Sequence, residues 1–273
     1  MIRTYSMNKI RLIAVDLDGT LLDSSKSYPA DFPLWVKRHP EIITVIASGR
    51  QYYKLREQFK EIENDIYYVA ENGGAVYSPQ GELLYSDSMS NENYLEAVSK
   101  SVSLPYSEPV ICGIKSAYIR KSANAGAVAL ECRKYYSAIE IVDSFECIDD
   151  SILKIAVYIP SRAKSVYGSI ADPEHIAPGV TAVLSGDDWI DIGKSECCKG
   201  NGIRFLQKQL DIRPSESAAF GDFINDLSMF DCCDMSFAMA NALPEVRKCA
   251  RYITDKTNEE GGVMDSIRKH IAL

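Results

Sequence analysis

Asp16 and Asp18 stand two residues apart in Arg-Leu-Ile-Ala-Val-Asp-Leu-Asp-Gly-Thr-Leu-Leu, residues 11–22, where an apolar run ends in acids, a glycine and a threonine. Along an extended chain that spacing projects both carboxylates to one side. Two carboxylates fixed at a turn can hold a divalent cation and do acid/base work on one substrate. Gly19 lets the chain turn without a Cβ in the way, and Thr20 adds a hydroxyl. A bare Asp-x-Asp is more often a turn whose acids are solvated. The preceding strand and the following Gly-Thr tip the reading toward a site.

Three further groups are of interest. Ile46-Ala47-Ser48-Gly49-Arg50 closes a second apolar strand. A serine hydroxyl and backbone N–H at a helix start can seat a phosphate, although serine also serves there as an ordinary cap. Cys198-Lys199-Gly200-Asn201-Gly202 opens a helix, and the Lys199 ammonium could neutralise a phosphoryl group or simply be solvated. It is not a Walker A loop, because the lysine precedes the glycines. Lys194 is the weaker substitute. Ala218-Ala219-Phe220-Gly221-Asp222-Phe223-Ile224-Asn225-Asp226 ends a strand in Gly-Asp-x-x-Asn-Asp. Helix capping explains one acid there less awkwardly than it explains three polar groups. A third acid converging on Asp16 would complete an oxygen-rich site of the kind Mg²⁺ prefers.

These groups need a scaffold that brings distant strand ends together. Strand-like runs at Leu12–Val15, Ile43–Ala47 and Tyr67–Ala70 alternate with a short segment near Leu34–Arg38 and a helix from about Gln51 to Ile62. Such βα alternation predicts a parallel sheet covered by helices, and residues 75–86 read as a hairpin around Pro79-Gln80-Gly81. From about Asn91 to Asp187 the pattern changes to strands at Ile111–Arg120, Glu140–Ile148, Leu153–Ile159 and Val180–Leu184, interspersed with helices. That reads as an inserted α+β domain. Alternation resumes from about Trp189, with helix Gly202–Leu210, strand Ala218–Phe220, helix Asn225–Phe230, strand Met235–Ala240 and a last helix near Glu259–Ile271.

Composition limits the partners. The 273 residues carry a net charge of −8, which argues against nucleic acid or an acidic membrane as the main partner. No apolar run reaches transmembrane length and the first residues lack a signal-peptide core, so a soluble, cytoplasmic protein is expected, with Met7 a possible true start. Eight cysteines include the adjacent pairs Cys197-Cys198 and Cys232-Cys233 but no C-x-x-C, which argues for buried thiols over a metal site. His39, His175 and His270 are scattered without ligand spacing and are expected to be structural or superficial.

Taken in order, Asp16-Leu17-Asp18-Gly19-Thr20, Ser48-Gly49-Arg50, Lys199 and Asp222-Phe223-Ile224-Asn225-Asp226 resemble the four motifs of the haloacid dehalogenase superfamily of phosphotransferases. The insert lies between the second and third motifs, where that superfamily places its type-two α/β cap. Glu71-Asn72-Gly73-Gly74, Phe237-Ala238-Met239-Ala240-Asn241-Ala242, Pro244-Glu245-Val246 and Gly261-Gly262-Val263 resemble its Cof-type subfamily. Two departures, His39-Pro40 in place of a longer helix and Asn-Gly-Gly in place of Asn-Gly-Ala, leave the acids untouched.

The resemblance implies a Rossmann-like α/β core with a parallel sheet, formed by residues 1–86 and 188–273, and an inserted α/β cap at 87–187 that folds over the site as a lid. It implies a phosphomonoester hydrolase of small phosphorylated metabolites such as sugar phosphates. Asp16 would be the nucleophile and Asp18 the acid/base. Mg²⁺ would be held by the carboxylates of Asp16 and Asp222 and the carbonyl of Asp18. Leu17, Thr20, Ser48, Gly49, Lys199 and Asn225 would seat the phosphate, with Asp226 orienting Lys199 or a metal-bound water. The expected partners are small phosphate esters, with no nucleic acid or membrane, on a monomer or weak homodimer. A sugar-phosphate phosphomutase would share the motifs and need cap arginines for a second phosphate; Arg120, Arg133 and Arg162 are too dispersed to decide. A phosphate-sensing module without turnover would not need Asp18.

Overall fold

The computed structural model describes residues 9–170, 176–185 and 187–271, so Met7 and His175 lie outside the described residues. The chain divides into two compact units. The first gathers the residues up to Gly49, Phe59–Tyr85 and those from Cys198 onward; the second comprises Arg50–Gln58 and Ser86–Cys197.

The first unit is built on an eight-stranded sheet in the order Tyr252–Ile253, Met235–Ala238, Ser217–Gly221, Leu12–Val15, Ile43–Ala47, Tyr67–Ala70, Ala75–Tyr77, Leu83–Ser86. The Leu12–Val15 strand pairs in parallel with Ser217–Gly221 on one side and Ile43–Ala47 on the other. All four of its side chains are fully buried, which is why it reads as an unbroken apolar run instead of an alternating one. Burying each of the larger ones, Leu12, Ile13 and Val15, is worth about 1.5–3 kcal/mol. Chain order reverses around this strand, so its carboxyl end is a switch point where ligands of open α/β sheets bind. The register puts Val15 opposite both Ile46 and Phe220, so three loops leave the sheet side by side: those carrying Asp16, Ser48 and Asp222.

The second unit has a six-stranded sheet in the order Val180–Leu184, Trp189–Lys194, Ile152–Tyr158, Glu108–Gly113, Ala117–Arg120, Ile139–Val142. Its pairings are antiparallel except the last, which is parallel. Neighbours in sequence such as Val110 and Ile111 fall into different apolar clusters, so both faces of the sheet are buried. The helix Asn91–Ser103 lies on one cluster: Tyr94, Ala97, Val98 and Ser101 form its buried stripe, and the Ser90 side chain caps it by accepting from the Asn93 N–H at 3.2 Å.

The expected α/β core with an inserted α+β domain is the architecture observed. Several elements differ in detail. The run Ile111–Arg120 is two antiparallel strands, because Gly113 to Ser116 make a tight turn pinned by Asp150, which accepts from the Lys115 N–H at 2.8 Å. The Glu140–Ile148 strand stops at Val142, ahead of a single 3₁₀ turn at Phe145–Cys147. The helix expected over Gln51–Ile62 runs from Tyr52 to Gln58 and restarts as a 3₁₀ turn at Lys60–Ile62, with Phe59 driven into the core between them. Trp189–Lys194 is a strand of the second unit's sheet, paired with both Ile152–Tyr158 and Val180–Leu184, so the return to the first unit falls at Cys198 and not near residue 188. Arg50–Gln58 likewise groups with the second unit: the Gln51 side chain accepts from the N–H groups of Ser137 and Ala138 at 3.0 and 2.9 Å.

Candidate active site

The strand Leu12–Val15 ends one residue before Asp16. The alternation that would have aimed both acids to one side therefore ends before it reaches them. Asp16 turns inward and is nearly buried, whereas the side chain of Asp18 is 43% exposed and pairs with Lys26 at 2.7 Å. The turn between them closes through the Thr20 and Leu22 N–H groups, which donate to the Leu17 carbonyl at 3.1 and 2.9 Å. Gly19 sits at φ +81°, and a Cβ there would lie 2.3 Å from Oδ2 of Asp222. Only glycine fits that approach.

Asp16 Oδ1 accepts from Lys199 Nζ at 2.6 Å, and the same ammonium donates to Asp226 Oδ1 at 2.7 Å. Lys199 and Asp226 are buried, and the second oxygen of Asp226 accepts from the N–H groups of Asp222 and Phe223 at 2.9 and 3.0 Å. Lys199 opens the helix Lys199–Gln209, as expected, but the strand ahead of it belongs to the second unit, so a helix start and not a strand end delivers this residue. Lys194 is ion-paired with Asp87 in that unit.

Burial would strip the proton from Lys199; Asp16 and Asp226 outweigh that and hold it above its ordinary range, so it is an ammonium. Asp16 is pushed up, first by burial and then by the Asp226 carboxylate, with Lys199 pulling it back only in part. Asp222 is pushed up to about 6 by burial and by Asp226. One ammonium thus faces an excess of carboxylate charge.

Asp16, Asp222 and Asp226 each bring one oxygen within 4.8 Å of the others. Oxygen donors carrying uncompensated negative charge suit a hard divalent cation. Since Asp226 is occupied by Lys199 and two backbone donors, Asp16 and Asp222 are the carboxylates best placed to ligate. The Asp18 carboxylate is not part of this group. Thr20, expected beside a phosphate, is buried and donates to Asp222 Oδ1 at 3.2 Å.

Leu17 is fully buried, so only its main chain can face a ligand. Ser48 is buried at the end of its strand, its N–H donating to the Val69 carbonyl at 2.9 Å. Beside Gly49 lies the side chain of Asn72, and Asn72 Oδ1 accepts from Asn225 Nδ2 at 3.1 Å. Arg50 is directed to Gln58, to which its Nη1 donates at 2.6 Å. The structure thus brings Asp16, Lys199, Asp222 and Asp226 into one cluster and sets Ser48, Gly49 and Asn225 around Asn72.

A family model described as haloacid dehalogenase-like hydrolase matches residues 13–267. The chain belongs to that family. As a haloacid dehalogenase-like hydrolase it is an enzyme, a phosphatase of the superfamily. It is 35% identical to the 5-amino-6-(5-phospho-D-ribitylamino)uracil phosphatase YbjI of Escherichia coli, covering 96% of this chain and 98% of that protein. It is 25% identical to phosphatase YwpJ of Bacillus subtilis, covering 96% of this chain and all of the other. Among solved structures it resembles SMU.1108c of Streptococcus mutans with a TM-score of 0.83 at 27% identity, over 97% of this chain and 100% of that one.

Other expectations about this hydrolase can be set beside the structure. The eight cysteines are thiols, not disulfides; Cys112, Cys132, Cys232 and Cys233 are buried as expected, Cys197 and Cys198 are half-buried, and Cys147 and Cys249 are exposed. His39 ends the helix Phe32–Arg38 and lies 3.4 Å from Glu41, and His270 packs on Tyr252 and Phe237. Arg120 lies over the Phe145 ring and Arg162 over Tyr106. No helix among the described residues is long and apolar enough to cross a membrane. Sequence reasoning missed Lys26, whose partnership with Asp18 has no motif to announce it. It read Asn72 only as a subfamily mark.

Proposed function

We propose that the protein is a Mg²⁺-dependent hydrolase of small phosphomonoesters, working through a phosphoenzyme on Asp16. The observation that supports this most directly is the buried Asp16–Lys199–Asp226 chain beside Asp222. It offers a carboxylate nucleophile, a fixed ammonium and a second carboxylate for a cation. Asp16 attacks phosphorus while Lys199 neutralises charge on the phosphoryl oxygens. Asp18, outside the buried cluster and open to solvent, donates a proton to the leaving oxygen. It then takes one from the water that opens the acyl phosphate. Ser48, Gly49, Asn225 and the main chain at Leu17 hold the phosphoryl oxygens; Thr20 acts by orienting Asp222.

Mg²⁺ would be held by the Asp16 and Asp222 carboxylates with the Asp18 carbonyl. When bound it offsets the charge of a carboxylate meeting a phosphate. The likeness to the Escherichia coli enzyme extends over nearly the full length of both chains, which makes a phosphorylated polyol or sugar the first substrate class to test, the ribitylaminouracil phosphate foremost. Phosphate release across a panel of sugar phosphates, polyol phosphates, nucleotides and cofactor phosphates with Mg²⁺ tests the proposal. Turnover confined to phosphomonoesters supports it. No release from any of them, or an intramolecular transfer without release, contradicts it.

A further inference from the structure

The turn after the Tyr67–Ala70 strand supplies no group to the reaction proposed above, yet it touches three of the loops that do. Glu71, Asn72 and Gly73 follow one another at φ +51°, +55° and +103°, all in the left-handed region. Two of the three carry side chains, and such conformations persist only where surrounding structure fixes them. The contacts that fix this turn are specific. The Asn72 N–H donates to the Ser48 carbonyl at 3.0 Å, tying the turn to the proposed phosphate seat. The Asn72 side chain stands 3.1 Å from where a Cβ on Gly49 would be. Asn72 Oδ1 accepts from Asn225 Nδ2 at 3.1 Å, although the two are 153 residues apart. Next to it Gly73 lies so close to the Lys199 helix that a Cβ would stand 2.1 Å from the Cys198 carbonyl oxygen.

We propose that Asn72 is a positioning residue for phosphoryl binding: its side chain fixes the amide of Asn225, while its backbone N–H anchors it to the loop of Ser48. The inference rests on the phosphatase reading above. Asn225 sits at the exposed rim of the site, on a short 3₁₀ turn, where its amide would otherwise rotate freely. Accepting one of its N–H groups leaves the other N–H and the carbonyl of that amide in a single orientation. Orientation of this kind lowers the cost of ordering the site when the phosphoryl group arrives. Asn72 suits the task because asparagine tolerates the left-handed backbone better than most side chains and still carries an acceptor.

A double-mutant cycle on p-nitrophenyl phosphate with Mg²⁺ tests this, using Asn72→Gly, Asn225→Ala and the pair. Glycine keeps the left-handed turn and the N–H to Ser48, and deletes only the side chain. Each single variant is expected to keep the wild-type Tm within a few degrees, to lose about tenfold in kcat/KM, and to weaken inhibition by inorganic phosphate similarly, the size of one lost hydrogen bond to an anion-binding group. The double variant should be no worse than the weaker single one, because Asn72 acts through Asn225. Losses that multiply would mean that Asn72 touches the substrate itself or acts elsewhere, and would overturn the proposal. So would wild-type kinetics in Asn72→Gly. If glycine loosens the turn and the Tm drops, Asn72→Ser in the same cycle decides it by the same criterion, since its hydroxyl is too short to reach Asn225. A wild-type protein without turnover would instead defeat the phosphatase reading, which keeps the two failures apart.

Discussion

Lys199 Nζ lies 2.6 Å from Asp16 Oδ1, joining residues 183 positions apart in a buried contact. Asp226 holds the ammonium from its other side, and backbone N–H groups hold Asp226 in turn. A lysine so placed is expected to serve both the fold and the proposed chemistry. Its removal should register in both.

Lys199→Met keeps much of the side-chain volume and removes the charge. Breaking a buried pair by deleting one partner costs about 3–5 kcal/mol, so the metal-free variant should unfold at distinctly lower denaturant concentration. Turnover should fall by ~10²–10³, the usual loss on removing one charge-stabilising donor. Denaturant titration with a chelator and a steady-state assay with Mg²⁺ check the two effects. Wild-type stability would show that the ion pair is not structural.

Chelation should abolish turnover and Mg²⁺ should restore it, because Asp16 and Asp222 bring carboxylate oxygens together with no cysteine or histidine in the group. Asp222→Asn should raise the Mg²⁺ concentration needed for half-maximal rate. Full activity in metal-free buffer would remove the cation from the account.

The acids also set a pH dependence in the metal-free protein. Asp222 is pushed up to about 6, from 3.8, by burial and by Asp226. Folded protein therefore keeps a proton that the unfolded chain has already released, so stability falls as pH rises between those values and stays lower above them. With chelator present, Tm should decline from pH 4 to pH 6, and the decline should shrink in Asp222→Asn. Mg²⁺ should raise Tm more at pH 7.5 than at pH 5, since proton and cation compete for the same oxygens. A Tm that rises through that window in both proteins would contradict the assignment.

Much of this site was legible because its parts sit at the ends of short, fully buried strands, where an apolar run breaking into Asp, Ser or Gly-Asp leaves a clear mark. The sequence showed that Asp16, Ser48 and Asp222 stand where strands run out, and parallel register then makes them neighbours. It did not show that the strand stops before Asp16, which sends Asp16 inward and Asp18 out to Lys26. Nor did it show that the Thr20 hydroxyl serves Asp222. The Asp16 and Thr20 contacts depend on tertiary partners 183 and 202 residues away, and Lys26 meets Asp18 only through the fold of the turn between them. The second unit was harder for a related reason. Trp189–Lys194 finds both its strand partners within that sheet, and nothing local distinguishes it from a core strand. Asn72 was legible as a residue and not as a role, because its partners Ser48 and Asn225 are joined to it only by folding.

We expect the second unit to choose among substrates. Exchanging residues 86–197 for the corresponding segment of a relative with a different preference should carry that preference along while Mg²⁺ dependence stays. The strand Trp189–Lys194 must travel with the exchange, since it completes the sheet. A substrate ranking that stays with the first unit would count against this role.

Asp16 is expected to become phosphorylated while Asp18 moves protons. Intact-protein and peptide mass spectrometry after mixing with a phosphomonoester of very good leaving group tests it most directly. Asp18→Asn should hydrolyse ~10²–10⁴ more slowly, the share usual for one acid/base group. It should nevertheless accumulate phosphate on the peptide containing Asp16, because such a leaving group needs little protonation. Asp16→Asn should acquire no phosphate from any substrate and show no turnover. Phosphate found on a different residue, or turnover retained in Asp16→Asn, would contradict the account.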